Sequence, residues 1–200
     1  MDSYNTIEPI ENILFKDTGS KFIGFAYAVN SEQELKQKLE HVRQIHPKAT
    51  HHCYAYRLGL DRNNFRSNDD GEPNGSAGKP ILGQIDFFGI TNCLVIIVRY
   101  FGGTKLGVGG LISAYKETAK LTLNNTTLLE KKILRYYQLE CSYNSANLVY
   151  QLIHQYGANL IEQTLDNHSN FIISIAQKNT ENLEMELRES RISYSIIESK

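Results

Sequence analysis

Residues 93–123 read CLVIIVRYFGGTKLGVGGLISAYKETAKLTL. The wholly apolar run Cys93 to Val98 is far shorter than the roughly 20 residues a membrane-spanning helix needs, and it is apolar on both faces, which predicts a central strand buried between two layers. A glycine-rich loop from Phe101 to Gly110 follows, and then a helix over about Leu111 to Leu123. Working outward toward the amino terminus, Lys21 to Val29 is aromatic and β-favouring and reads as a strand paired with Asn12 to Lys16. Ser31 and Glu34 form a capping box ahead of Leu35, Leu39 and Val42 at helical spacing, with Pro47 closing that helix. Thr50 to Leu58 reads as a further strand. Toward the carboxyl terminus, Asn124 to Thr127 carries no apolar period and marks a boundary. From about Lys131 the order is strand (Ile133 to Ser142), helix (Asn144 to Tyr156, ended by Gly157), strand (Asn159 to Leu165), strand (Asn170 to Ala176), helix (Thr180 to Glu189) and strand (Ile192 to Ile197). That βαββαβ order predicts a ferredoxin-like module. The expected architecture is therefore α+β in two domains, residues 1–128 and 129–200.

Composition narrows the function classes. The chain has 200 residues, 41% of them hydrophobic and 22% charged, which excludes disorder and fibrous folds. Three widely spaced cysteines, Cys53, Cys93 and Cys141, suit free thiols better than a disulfide frame or zinc site. The start lacks the basic and apolar regions of a secretory signal, so a cytoplasmic protein without membrane contact is expected. Net charge is −1, with 14 Lys/Arg against 14 Asp/Glu in residues 1–130 and 7 against 8 in 131–200. Neither part carries the cationic footprint of a duplex-gripping protein, so any nucleic-acid site must be local.

Three segments have the residue types for chemistry. The stretch Asp69 to Pro80 gathers Asp69, Asp70 and Glu72 with three glycines, two prolines and Lys79. Hard cations want converging carboxylates, but acids in a Gly/Pro-rich stretch more often make turns and cap a following helix, here starting near Ser76. The spacing is not that of a phosphate-binding P-loop, because Pro73 and Pro80 stand at the wrong places, and no cofactor or metal is expected. The second segment is the loop holding Gly102, Gly103, Gly107, Gly109 and Gly110, flanked by Arg99 and Lys105. A glycine-rich turn entering a helix offers backbone N–H groups and the positive dipole end to an anion, although packing alone would explain many of these glycines. In the third, strand alternation sends His51, Cys53, Ala55 and Arg57 to one face and His52, Tyr54 and Tyr56 to the other. The latter stripe would suit base stacking on an open sheet or packing beneath a covering segment.

The segments THHCYAYRLG (50–59), SNDDGEPNGSAGKPIL (67–82) and IIVRYFGGTKLGVGGLISAY (96–115) resemble, in order and spacing, the hallmark motifs of the IMPACT/YigZ family. The likeness covers most of residues 15–125, and the carboxyl-terminal pattern fits the second domain of the bacterial branch. Tyr54 departs from it where many members place Trp, keeping an aromatic surface. The resemblance implies a ribosomal protein S5 domain 2-like first domain. It also implies a domain pair similar to domains IV and V of elongation factor G, which act at the ribosome. Eukaryotic relatives in this resemblance regulate translation by competing for a partner of a starvation-sensing kinase through a region that includes an extra domain not expected here, so the resemblance does not imply the kinase role for this chain.

The leading expectation is a non-enzymatic protein that binds RNA or the ribosome and regulates translation. Its contacts would be Lys79, Arg99 and Lys105, the two glycine-rich loops and the His52, Tyr54 and Tyr56 stripe. Two alternatives stay open. One is a nucleotide-binding enzyme or sensor, as small-molecule kinases resembling the same architecture hold phosphate before a helix. Gly107 to Gly110 would then hold phosphate, and Asp69, Asp70 or Glu72 would hold magnesium. The other is a protein–protein module whose carboxyl-terminal domain presents Glu181, Glu184, Glu186 and Glu189 to a basic partner.

Overall fold

The computed structural model describes residues 2–166 and 168–198. The described chain divides into two compact units, Tyr4 to Glu130, and the residues from Lys131 on together with Asp2 and Ser3.

The first unit is built on a five-stranded antiparallel sheet of order β2-β3-β6-β4-β5. Its strands are β2 (Ile10–Asp17), β3 (Ser20–Ala28), β4 (His51–Leu58), β5 (Asn64–Asn68) and β6 (Cys93–Tyr100). The apolar run at Cys93 accounts for the layering. Cys93, Val95 and Ile97 face helices α2 (Gly78–Phe87) and α3 (Gly107–Asn124), while Leu94, Ile96 and Val98 face α1 (Glu32–Ile45). A strand between two helical layers must be apolar at every position, and β6 is. Helix α1 forms where the capping box places it: Ser31 Oγ accepts from the Glu34 amide at 3.2 Å, and Glu34 Oε2 accepts from the Asn30 amide at 2.8 Å. β1 (Ser3–Ile7) pairs with β7 (Leu128–Lys132) in a two-stranded ribbon. β1, β5 and β7 had no signal in the sequence, because these segments are only five residues long, show no clean alternation and, in β5 and β7, are mostly exposed.

The second unit has the order β8 (Leu134–Ser142), α4 (Ala146–Tyr156), β9 (Asn159–Leu165), β10 (His168–Ala176), α5 (Thr180–Glu189) and β11 (Ser193–Ile197). Its sheet, β11-β8-β10-β9, is antiparallel throughout, the strand order of a ferredoxin-like split βαβ module. Gly157 ends α4 with φ 61°, a left-handed cap open to glycine at little cost. The core is Tyr137, Leu139, Val149, Phe171, Ile173, Leu183 and Leu187, all fully buried.

Two expectations change. Helix α3 begins at Gly107 rather than Leu111, so Gly107, Gly109 and Gly110 occupy its first turn. The amides of that first turn have no intrahelical acceptor. The His52, Tyr54 and Tyr56 stripe is no stacking platform. At 9%, 8% and 9% exposure these side chains lie on the α1 side of the sheet, the two tyrosines within its core. Tyr54→Ala is expected to destabilise the protein by about 3–4 kcal/mol in urea unfolding, as for other buried aromatics, while Tyr54→Phe, whose lost hydroxyl makes no hydrogen bond among the described residues, stays near neutral.

Candidate functional site

Strand alternation decides what Arg99 does. It continues the inward series Cys93, Val95, Ile97 and therefore ends on the α2/α3 face, where it is only 5% exposed. A buried guanidinium requires a counter-charge. Glu72, itself 9% exposed, supplies it: Arg99 Nη1 donates to Glu72 Oε1 at 2.7 Å. Tyr115 Oη on α3 donates to the same oxygen at 2.8 Å. Arg99 Nη2 lies 3.4 Å from Ser20 Oγ, which accepts from the Gly102 amide at 3.2 Å. Nε of Arg99 has no hydrogen-bond partner among the described residues; the guanidinium instead lies between the Phe22 and Phe101 rings, 5.5 and 5.6 Å from their centroids. On the adjacent strand the Cys53 thiol reaches the Tyr115 hydroxyl at 3.3 Å and donates to the Asp69 carbonyl at 3.0 Å. Burial pushes both the Cys53 thiol and the Tyr115 phenol up, so neither ionises near neutral pH.

The acidic loop is held from within. Asp69 accepts the Gly75 amide at 2.8 Å on one oxygen and the Ala77 and Gly78 amides at 2.9 and 2.8 Å on the other. It thereby caps α2, whose own N-cap Ala77 has no side-chain acceptor. Partial burial pushes the Asp69 carboxyl up, but the three backbone donors and the charge of Lys79 outweigh it and hold the group below the usual carboxylate range. Asp70 Oδ2 accepts the His52 amide at 2.7 Å, its other oxygen lies 3.3 Å from Arg43, and its carbonyl meets His51 Nδ1 at 2.7 Å. The three acids thus face three different sets of partners, and among the described residues no group of three His, Cys, Asp or Glu side chains converges as a metal site. Of the three acids, Asp69 is the one that caps the helix that follows.

The second glycine loop has a different character. A Cβ on Gly102 would overlap the backbone of Gly19 and Ser20, so this glycine lets β6 exit against the β2–β3 turn. Gly103, Gly107 and Gly109 are exposed, and a Cβ on any of them would meet nothing. The first turn of α3 has no side-chain cap. Around it Phe101 and Val108 are 48% and 53% exposed, Lys105 is exposed, and Lys105 and Lys79 form no hydrogen bond or ion pair among the described residues.

Of the expected contact residues, then, Lys79, Lys105, Gly102, Gly103, Gly107 and Gly109 are exposed and Gly110 is half-buried, whereas Arg99 is withdrawn into an ion pair. Tyr115, Ser20 and His51 were not expected in the site. A tyrosine on the apolar face of a helix needs a hydroxyl partner, and an arginine closing an inward apolar series needs an acid; those two signals together would have found the network.

Glu72→Gln leaves Arg99 buried without its counter-charge and is expected to cost about 3–5 kcal/mol in urea unfolding, with part of the loss recovered in the Glu72→Gln/Arg99→Met double variant. Asp69→Ala is expected to cost about 1–2 kcal/mol at pH 7. Because the folded carboxyl sits below its unfolded value of about 3.9, its contribution is present above that pH and fades below it. The gap between wild type and Asp69→Ala should accordingly narrow in unfolding curves recorded below about pH 4.

Residues 18–123 match the family model described as the Impact N-terminal domain. The "IMPACT family member YigZ" of Escherichia coli is 36% identical over 144 residues, 71% of each chain. The "IMPACT family member YvyE" of Bacillus subtilis is 37% identical over 124 residues, 62% of this chain and 57% of that one. A crystal structure described only as that of an hypothetical protein superposes along 100% of both chains with a TM-score of 0.75 at 29% identity. The motif residues quoted from 50–59, 67–82 and 96–115 fall inside the matched segment and supply Cys53, Glu72, Arg99 and Tyr115 of the buried network and both loops, and the match over residues 18–123 places the chain in the IMPACT family.

Proposed function

We propose that this chain is a non-enzymatic RNA- or ribosome-binding protein that regulates translation, with Phe101 to Gly110 as its contact surface and Lys79 and Lys105 as phosphate contacts. Gly109 is the observation that carries this reading. A glycine inside a helix costs up to about 1 kcal/mol relative to alanine, yet Gly109 has no positive φ and no neighbour that a methyl group would touch. The fold gains nothing from it, whereas a partner pressed against the helix backbone does. The uncapped amides of that turn and the adjacent cation suit an anion such as RNA phosphate.

A binding role also agrees with the state of the groups that would otherwise do chemistry. Cys53 is buried with its thiol pushed up, and the buried Ser76 hydroxyl is spent on the Pro73 carbonyl at 2.7 Å. By fold-level analogy, the domain pair that the sequence resemblance implies, similar to domains IV and V of elongation factor G, agrees with the same setting.

Co-sedimentation with ribosomes and subunits at low and moderate salt tests the reading. Wild type is expected to sediment in a salt-sensitive manner and the Lys79→Ala/Lys105→Ala variant to lose most of that binding. Gly109→Ala is expected to bind less while unfolding at higher urea. Absence of binding at every salt concentration would overturn the proposal.

A further inference from the structure

A cavity of about 390 Å³ opens where β3 and β6 run past the carboxyl end of α1, lined by Gly19, Lys21, Ile23, His46, Tyr100 and Phe101. Its volume lies within the range of small-molecule sites, about 300–1,000 Å³. Three of the six lining side chains are aromatic rings and none is acidic. His46 Nδ1 sits 2.9 Å from Tyr100 Oη with the two rings edge to face, which fixes the orientation of the Tyr100 wall. Burial lowers the imidazole pKa, so this wall is uncharged at neutral pH.

The charge at the mouth is harder to explain by folding alone. The two-residue turn Thr18 (φ 45°) and Gly19 (φ 79°) sets the β2–β3 register so that Lys16 stands directly opposite Lys21, and Lys21 in turn stands opposite Tyr100. Like charges directly across two strands are destabilising. Neither lysine forms an ion pair among the described residues, and both are exposed. The close approach of Gly102 to Gly19 holds Phe101 beside this turn.

Flat aromatic walls next to an uncompensated cation pair match a ligand that carries both a π-face and an anion. We propose that this pocket takes one unpaired nucleotide, its base against the Phe101 and Tyr100 rings and its phosphate on Lys16 and Lys21. The inference deepens the RNA-binding reading above and rests on it for the source of the nucleotide, since a free nucleotide would present the same chemistry.

The test is a fluorescence anisotropy titration of the full chain with a labelled, short single-stranded oligouridylate, with uridine and adenosine monophosphates as competitors. Phe101→Ala is expected to weaken binding about tenfold or more and Phe101→Trp to retain it. Lys16→Ala and Lys21→Ala should each flatten the salt dependence of log K by about 0.7, while the unfolding midpoints of these two exposed variants stay at or slightly above wild type. Competition by mononucleotide as effective as by oligomer supports the pocket with a free nucleotide as source, and binding of the oligomer alone supports it with an RNA residue. Oligomer and mononucleotide binding unchanged in both Phe101→Ala and the lysine variants would overturn the pocket. If ribosome co-sedimentation still depended on Lys79 and Lys105, only the pocket would fall. Mononucleotide binding that requires Phe101, without ribosome binding, would remove the ribosome reading and keep the pocket. No binding of any probe would remove both.

Discussion

The ion pair between Arg99 and Glu72 is the constraint on which the rest of the first unit's motif region depends. Arg99 ends a strand packed on both faces, so its charge has no route to water except through the network. Glu72 can reach it only if the loop after β5 folds back over the sheet, and that path is fixed when the Asp69 carboxylate gathers three amides at the start of α2. Tyr115 then ties α3 to the same carboxylate oxygen. One buried charge thus dictates the course of a Gly/Pro-rich loop and the seating of two helices. A desolvated pair of this kind adds little net stability against an apolar replacement, so its value lies in specifying one loop conformation.

This division of labour separates the two glycine-rich segments by what they do. The acidic segment is turned inward: its carboxylates are consumed by backbone amides, Arg43, Arg99 and Tyr115. The segment after β6 is turned outward, with open glycines, exposed Phe101 and Val108, and a lysine free of protein partners among the described residues. A rigid interior network beneath a receptive surface loop is an arrangement suited to recognition, because the scaffold and not the ligand fixes the loop's stem.

Much of this was legible in the sequence. The six-residue run at Cys93 specified a central strand, the Ser31–Glu34 box specified where α1 begins, and the β9 and α5 bounds follow from their flanking Gly, Asn and Thr residues. What escaped was decided by tertiary context. Arg99 beside glycines looks like a phosphate ligand until strand parity is followed one residue past Val98. The alternating aromatics Tyr54 and Tyr56 have the pattern of an exposed face, and only the packing of α1 on that face buries them. The start of α3 at Gly107 leaves no mark in the sequence because four residues including three glycines have little helical propensity and are helical only in continuity with the turns from Leu111 on. The pocket depended on cross-strand register, which local sequence does not display.

The hydrogen bonds of the buried network join residues far apart along the chain: 27 positions separate Glu72 from Arg99, 43 separate Glu72 from Tyr115 and 79 separate Ser20 from Arg99. Each closes a long loop whose entropy must be met before the contact contributes anything. Because its partners stand on β6 and α3, Glu72 has its place only where that strand and that helix are packed together. Anything that loosens α3 from the sheet therefore also removes Tyr115 from the Glu72 carboxylate, so the strand, the helix and the acidic loop hold their form as one unit.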